Sequence, residues 1–156
     1  MLFRSRFVMD HHIFRIPVLS FIFRTGKTIP IAPKKEDPAL LEKAYEDINT
    51  ALHDGDLVAI FPEGRITDTG ELYPFRPGIT RILDRCQVPV VPLALRGLWG
   101  SFFSRKCQGA LDIALGVFRP LWRRTVEIVC SAPVPPEQAS ARGLELQVRL
   151  LRGAVA

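Results

Sequence analysis

Apolar residues fall into two kinds of run along this chain. Some runs are short and nearly continuous, as in Leu57-Val58-Ala59-Ile60-Phe61 and Val88-Pro89-Val90-Val91-Pro92-Leu93-Ala94-Leu95; others recur every three or four positions. The first kind reads as strand and the second as amphipathic helix. The helical pattern is clearest after Asp37, where Leu41, Tyr45, Ile48 and Leu52 share one face. Asp37 supplies an N-cap and Pro38 sits in the first turn, where a missing N–H is harmless. Gly55 then provides the stop. A second helix is predicted to open at Pro77 with Ile79, Ile82, Leu83 and Cys86 inward, and a third over 136–152 with Leu144, Val148 and Leu151 inward. Residues 13–23, apolar around Pro17, read as a short helix started or broken by that proline.

Short strands are predicted at 28–31 and 126–130. The 57–61 run has the continuous apolarity of a strand covered on both faces. In the run 88–95 two prolines imply an edge or a bulge, because neither can donate to a ladder. Strands that alternate with helices predict an α/β fold, a mainly parallel central sheet flanked by helices. With 156 residues, a single domain spanning 1–156 is expected. About fifteen residues of polar loop follow Phe61, a length that in a compact domain usually marks function.

Composition narrows the partners. The chain is 47% hydrophobic and 24% charged, a globular balance, and carries a net charge of +5. That excess suits anionic partners such as a lipid headgroup or a phosphorylated substrate. Basic residues are spread along the chain with no aromatic–glycine RNA motif or zinc-finger spacing, so no nucleic-acid partner is expected. Cys86, Cys107 and Cys130 form no C-x-x-C pair, which fits a reducing cytosol with thiols acting as core residues. No secretory signal is legible, and the apolar stretch 16–23 is far shorter than the ~20 residues of a spanning helix. Membrane contact is therefore expected to be peripheral.

The strongest candidate site is the turn after the 57–61 run, since ligands of open α/β sheets sit beyond the carboxyl ends of strands. It holds Pro62, Glu63, Gly64 and Arg65, then Thr67, Asp68, Thr69 and Gly70. Gly64 would let backbone N–H groups approach an anion. Arg65 offers a planar fork matched to phosphate. Thr67 can donate a hydroxyl, and Glu63 can orient Arg65 or hold the loop. The alternative for the same residues is a solvated loop of turn formers.

Phe61-Pro62-Glu63-Gly64-Arg65, Pro77-Gly78 and Val90-Val91-Pro92-Leu93-Ala94-Leu95 resemble, in order and spacing, successive blocks of the glycerophospholipid acyltransferase family, which includes lysophosphatidate and glycerol-3-phosphate acyltransferases. The resemblance runs over about 6–136, leaving 137–156 as a terminal helix. The phrases Arg6-Phe7-Val8-Met9-Asp10-His11-His12-Ile13-Phe14 and Arg96-Gly97-Leu98-Trp99-Gly100-Ser101-Phe102-Phe103-Ser104 look closest to one branch. In that branch the domain acylates lysophospholipids and is often fused to a lysophospholipid transporter or an acyl carrier protein synthetase.

What the resemblance implies is phospholipid synthesis or remodelling at the cytoplasmic side of the inner membrane. An acyl group passes from acyl-CoA or acyl carrier protein to a hydroxyl of a lysophospholipid or glycerol phosphate, with no further cofactor. The E-G-R block binds the acceptor's phosphate, and a histidine in an H-x-x-x-x-D block acts as general base, its aspartate orienting the imidazole. Such a base is chemically sensible, because a hydroxyl near neutral pH is a poor nucleophile without one. Five positions beyond His11, His12 and His53 stand Ile16, Pro17 and Val58, none an aspartate. In the family's order the missing block precedes everything seen here, so an amino-terminally truncated domain is expected and no residue is assigned as catalytic. A non-catalytic lipid-phosphate-binding protein and a degenerate fragment stand as alternative functions.

Three further features have two readings each. The family often places an arginine after the short strand near 28–31; here Lys34 and Lys35 follow, either as point-charge donors to the acceptor or as a solvated pair. Asp10-His11-His12 is expected to be polar connecting chain rather than a metal site, because adjacent histidines on one strand or helix point different ways. Residues 98–106, and Phe118, Arg119, Trp122, Arg123 and Arg124, suit either a lipid–water interface or an ordinary core edged by surface charge.

Overall fold

The structure, a computed structural model, describes residues 4–12, 26–65, 67–97 and 125–153. The features predicted at 13–23, 98–106, 107 and 118–124 lie outside the described residues. The chain divides into two compact units.

The first unit comprises Met1–Gly64 and Arg76–Val88. Its sheet has three strands, β1 (Ser5–Asp10), β2 (Ile29–Ile31) and β3 (Leu57–Ala59), in the order β2-β1-β3 with both pairings parallel. Val8 stands opposite Ile29 and Ser5 opposite Leu57. Parallel strands need a long crossover, and helix α1 (Pro38–His53) provides one, carrying the chain from one edge strand to the other. Its ends follow the capping chemistry read from sequence: Leu40 N–H donates to Asp37 Oδ1 at 2.9 Å, and Gly55 takes a φ of 79° just past the last turn. Leu41, Ala44, Tyr45 and Ile48 of α1 form the core with Val8, Ile29 and, from helix α2 (Gly78–Arg85), Ile82. The predicted α2 stripe of Ile79, Ile82, Leu83 and Cys86 is buried throughout.

The apolar pattern assigns no element to residues 5–10, which carry the charged Arg6 and Asp10, yet they form the central strand β1. Tertiary pairing resolves the conflict, since Arg6 Nε lies 2.7 Å from Asp56 Oδ2 and Leu57 N–H donates to the Arg4 carbonyl at 2.8 Å. Nor is the 57–61 run covered on both faces. The strand stops at Ala59, Val58 and Ile60 pack on the core, and Leu57 and Phe61 stay 57% and 53% exposed. Val58, Ala59 and Ile60 are half-buried between these two exposed ends, so no residue of the run is fully buried.

The second unit comprises Arg65–Phe75 and Pro89–Ala156. Strands β4 (Leu93–Arg96) and β5 (Glu127–Cys130) pair antiparallel, from Leu93 opposite Cys130 to Arg96 opposite Glu127. The predicted strand over 88–95 is shortened by its prolines: an isolated bridge joins Val90 to Val134, and the ladder resumes only after Pro92, whose carbonyl accepts from Ser131 N–H. The predicted helix over 136–152 also divides, into a 3-10 turn at Pro136–Gln138 and helix α3 (Ala141–Arg152). Ser140 sets the boundary, its Oγ accepting from Gly143 N–H at 3.1 Å. Leu144 and Val148 of α3 are buried with Ala94 and Ala139. Among the described residues no helix is long and apolar enough to cross a membrane.

Candidate functional site

The turn that follows β3 is closed by its own backbone. Gly64 N–H donates to the Phe61 carbonyl at 3.0 Å, and Arg76 N–H donates to the Pro62 carbonyl at 2.8 Å. Gly64 has a φ of 63°, a conformation open to glycine and strained for other residues. A Cβ there would lie 2.8 Å from Arg76 Nε and 2.9 Å from Arg76 Cδ. The glycine therefore serves a different end from the one read in the sequence. Its amide is committed within the turn, and what its missing side chain admits is the stem of Arg76. No ion pair to Arg76 occurs among the described residues, and the side chain is exposed. Sequence reasoning missed this cation; the available signal was an arginine just ahead of the Pro77-Gly78 helix start.

Arg65 is exposed, with its Cζ 3.4 Å above the centre of the Tyr73 ring. At that separation the cation lies against the face of the ring, and Arg65 stays open to solvent. Stacking also restrains a long side chain that would otherwise lose entropy on gripping a ligand. The loop that carries both residues is built from hydroxyl-capped turns. Thr67 Oγ1 accepts from Gly70 N–H at 3.0 Å, and Thr69 Oγ1 accepts from Glu71 N–H at 3.2 Å. Thr67, half-buried, thus shapes the loop while its own proton remains a donor.

Helix α3 holds this loop through one stripe of side chains. Glu145 Oε2 accepts from Phe75 N–H at 3.1 Å, Arg149 donates to the Leu72 carbonyl at 3.0 Å, and Arg152 donates to the Gly70 carbonyl. Positions 145, 149 and 152 are spaced by four and three residues, which places them on one helical face. Arg149 also pairs with Glu145 at 3.0 Å. The Phe75 amide first, and then Arg149, hold the Glu145 carboxyl below the ordinary glutamate range, against the opposing effect of partial burial. None of the three was singled out from sequence. A charged stripe beside Leu144 and Val148 has the pattern of a solvated helix face, and nothing local reveals that a distant loop lies on it.

Glu63 is half-buried in the turn, whereas Lys34 and Lys35 are exposed in a turn of their own beyond β2, closed by Glu36 N–H on the Pro33 carbonyl at 2.9 Å. Because β1, β2 and β3 are parallel, residues 10–12, 32–36 and 60–64 all leave the sheet at its carboxyl end, the side where α/β sheets receive ligands. No hydrogen bond joins either lysine to the 61–64 turn among the described residues. His53 lies at the far end of α1 and is exposed. What this arrangement offers chemically is cation and hydrogen-bond donation to an anion.

Comparison with known proteins bears on what that anion belongs to. The Acyltransferase family model matches residues 3–96. A chloroplastic 1-acyl-sn-glycerol-3-phosphate acyltransferase of Brassica napus, BAT2, is 27% identical over 128 residues, covering 80% of this chain and 36% of that protein. An N-acylphosphatidylethanolamine synthase of Arabidopsis thaliana is 32% identical over 83 residues, 53% of this chain and 28% of its own length. The chain thus spans about a third of the length of the curated relatives it matches. Among solved structures, the 1-acyl-sn-glycerophosphate acyltransferase PlsC of Thermotoga maritima aligns over 93% of this chain and 54% of its own, with a TM-score of 0.60 at 18% identity. That likeness establishes a shared fold.

Proposed function

Because the chain belongs to the Acyltransferase family, we propose that it serves acyl transfer in phospholipid synthesis by holding the phosphate of a glycerolipid acceptor at Glu63-Gly64-Arg65. The acceptor is a lysophospholipid or glycerol phosphate, and the donor is acyl-CoA or acyl carrier protein. One observation carries this reading: the Arg65 guanidinium rests on the Tyr73 ring, 3.4 Å from its centre, while Arg65 remains exposed to solvent. A planar edge of parallel N–H groups is the best side-chain match to a phosphate monoester. Within the first unit, Arg76, seated on Gly64, is a cation of the 61–64 turn, and Lys34 and Lys35 are candidate donors at the carboxyl end of the sheet.

Anchoring the phosphate fixes the glycerol hydroxyl that is to be acylated, and such positioning accounts for much of the rate of a bimolecular transfer. The hydroxyl must then lose its proton to a base as it attacks the thioester carbonyl, and the thiol leaves. In this chain His11, His12 and His53 have no aspartate five residues onward, so the part assigned to its own residues is acceptor binding. Net charge of +5 supports peripheral work at an anionic membrane surface, on the cytoplasmic face of the inner membrane.

Calorimetric titration of the chain with glycerol 3-phosphate and with short-chain lysophosphatidate tests the reading. Saturable binding of both is expected, with no binding of the matching monoacylglycerol. Arg65→Ala should weaken both by about 10- to 100-fold, the worth of charge-assisted hydrogen bonds. Equal affinity in the variant, or equal binding of the phosphate-free lipid, would refute the proposed site.

A further inference from the structure

We propose that Asp10, His11 and His12 form a binding site for a divalent transition metal of the zinc class, with Glu36 orienting His12. The cluster lies at the carboxyl end of the central strand and uses none of the residues assigned to the acceptor's phosphate, although Glu36 follows Lys34 and Lys35 in the same turn. On a regular strand or helix, neighbouring histidines diverge, which is why the sequence argues against a metal here. The chain is regular only as far as Asp10. There β1 ends, and His11 and His12 enter a single 3-10 turn secured by His12 N–H on Asp10 Oδ1 at 2.8 Å. The turn folds both rings back toward the carboxylate, with centroids 4.0 Å apart and planes at 89°.

Distances favour ligation over simple pairing. His11 Nδ1 and His12 Nδ1 lie 3.6 and 3.5 Å from the same oxygen, Asp10 Oδ1. Both separations are too long for good hydrogen bonds. They equal the edge of a tetrahedron whose centre is about 2.0–2.2 Å from each corner, roughly 3.3–3.6 Å, which is the geometry of zinc with nitrogen and oxygen ligands. One donor atom from each of the three residues falls within 4.8 Å of the others. Two imidazoles with one carboxylate select Zn2+, Co2+ or Ni2+ over Mg2+ or Ca2+, which prefer all-oxygen sites.

Two more observations point the same way. His11 Nδ1 is shielded from solvent and has no hydrogen-bond partner, an unsatisfied state that proteins rarely tolerate without a ligand or bound water. On the other side, His12 Nε2 lies 3.9 Å from Glu36 Oε2. A carboxylate at the ring nitrogen opposite the metal is the usual device for fixing the tautomer and orientation of a ligating histidine. Three protein ligands leave one tetrahedral corner for water or an anion.

The test uses the full chain without a histidine tag, stripped by chelator and titrated with Co2+, whose visible absorption reports coordination. Saturable one-to-one binding, displacement by Zn2+ and a higher melting temperature with Zn2+ are expected. His12→Gln, at a 55% exposed side chain where folding should survive, is expected to weaken binding on the order of 100-fold or more, and Glu36→Gln by about 10- to 100-fold. His53→Gln should change nothing. Absence of saturable binding would overturn the site. So would unchanged affinity in both His12→Gln and Glu36→Gln, or an intense thiolate-to-cobalt band placing the ion on cysteines.

Discussion

Two glycines show how much the neighbourhood of a single residue decides. Gly64 and Gly97 both have positive φ, 63° and 76°. At Gly64 a methyl group would meet the flexible stem of Arg76, which can swing away. At Gly97 it would lie 2.4 Å from the Thr125 carbonyl oxygen, and backbone beside a strand pair cannot give way. Gly64→Ala is therefore expected to lose about 1–2 kcal/mol from its left-handed backbone and to weaken phosphate binding by displacing Arg76. Gly97→Ala should be the more damaging to the fold. Urea unfolding of the two variants ranks them, and calorimetry with glycerol 3-phosphate separates the binding effect.

At the scale of elements, α1 and α3 are stabilised in different ways. α1 rests on apolar burial and a cap. Ile48, 1% exposed, is expected to cost about 2–5 kcal/mol on truncation to alanine, against about 1 kcal/mol for Asp37→Ala at the cap; chemical denaturation checks both. α3 instead holds a loop by polar contacts, so its contribution depends on pH. The Glu145 carboxyl titrates below its ordinary range in the folded protein. Its stabilising effect is therefore complete above the unfolded value of about 4.3 and is lost as pH falls through the folded value. Glu145→Gln should destabilise the protein at neutral pH, and the gap to the parent should close on acidification below about 4.3, as followed by thermal melts across pH. Arg149→Ala is expected to free the 65–75 loop and raise its amide exchange.

These elements also mark how far sequence reading reached. α1 and α2 were legible because each announces itself locally, through capping residues and a helical stripe, and the order of motif blocks pointed to the family and to a candidate turn. The central strand β1 was not, since the charges of Arg6 and Asp10 fit a strand only once Asp56 stands beside Arg6. The stripe of Glu145, Arg149 and Arg152 was hidden for the same reason, its partners lying some 70 or more residues away.

Over the whole molecule, a net charge of +5 should make binding to anionic lysophosphatidate vesicles fall steeply between low and physiological ionic strength, as exposed charges are screened beyond about 8–10 Å. Co-sedimentation at several salt concentrations measures it, and a salt-independent result would argue for apolar insertion instead. The amino-acid sequence alone determined the α/β class, the principal helices, the cationic turn and its family, because propensity, periodicity and motif order are properties of neighbouring residues. Only tertiary structure decided that Gly64 seats Arg76, that Tyr73 backs Arg65, that α3 holds the 65–75 loop, and that Asp10, His11 and His12 converge. Those facts depend on where the chain returns to itself, and no local pattern encodes the meeting of distant or turn-folded groups.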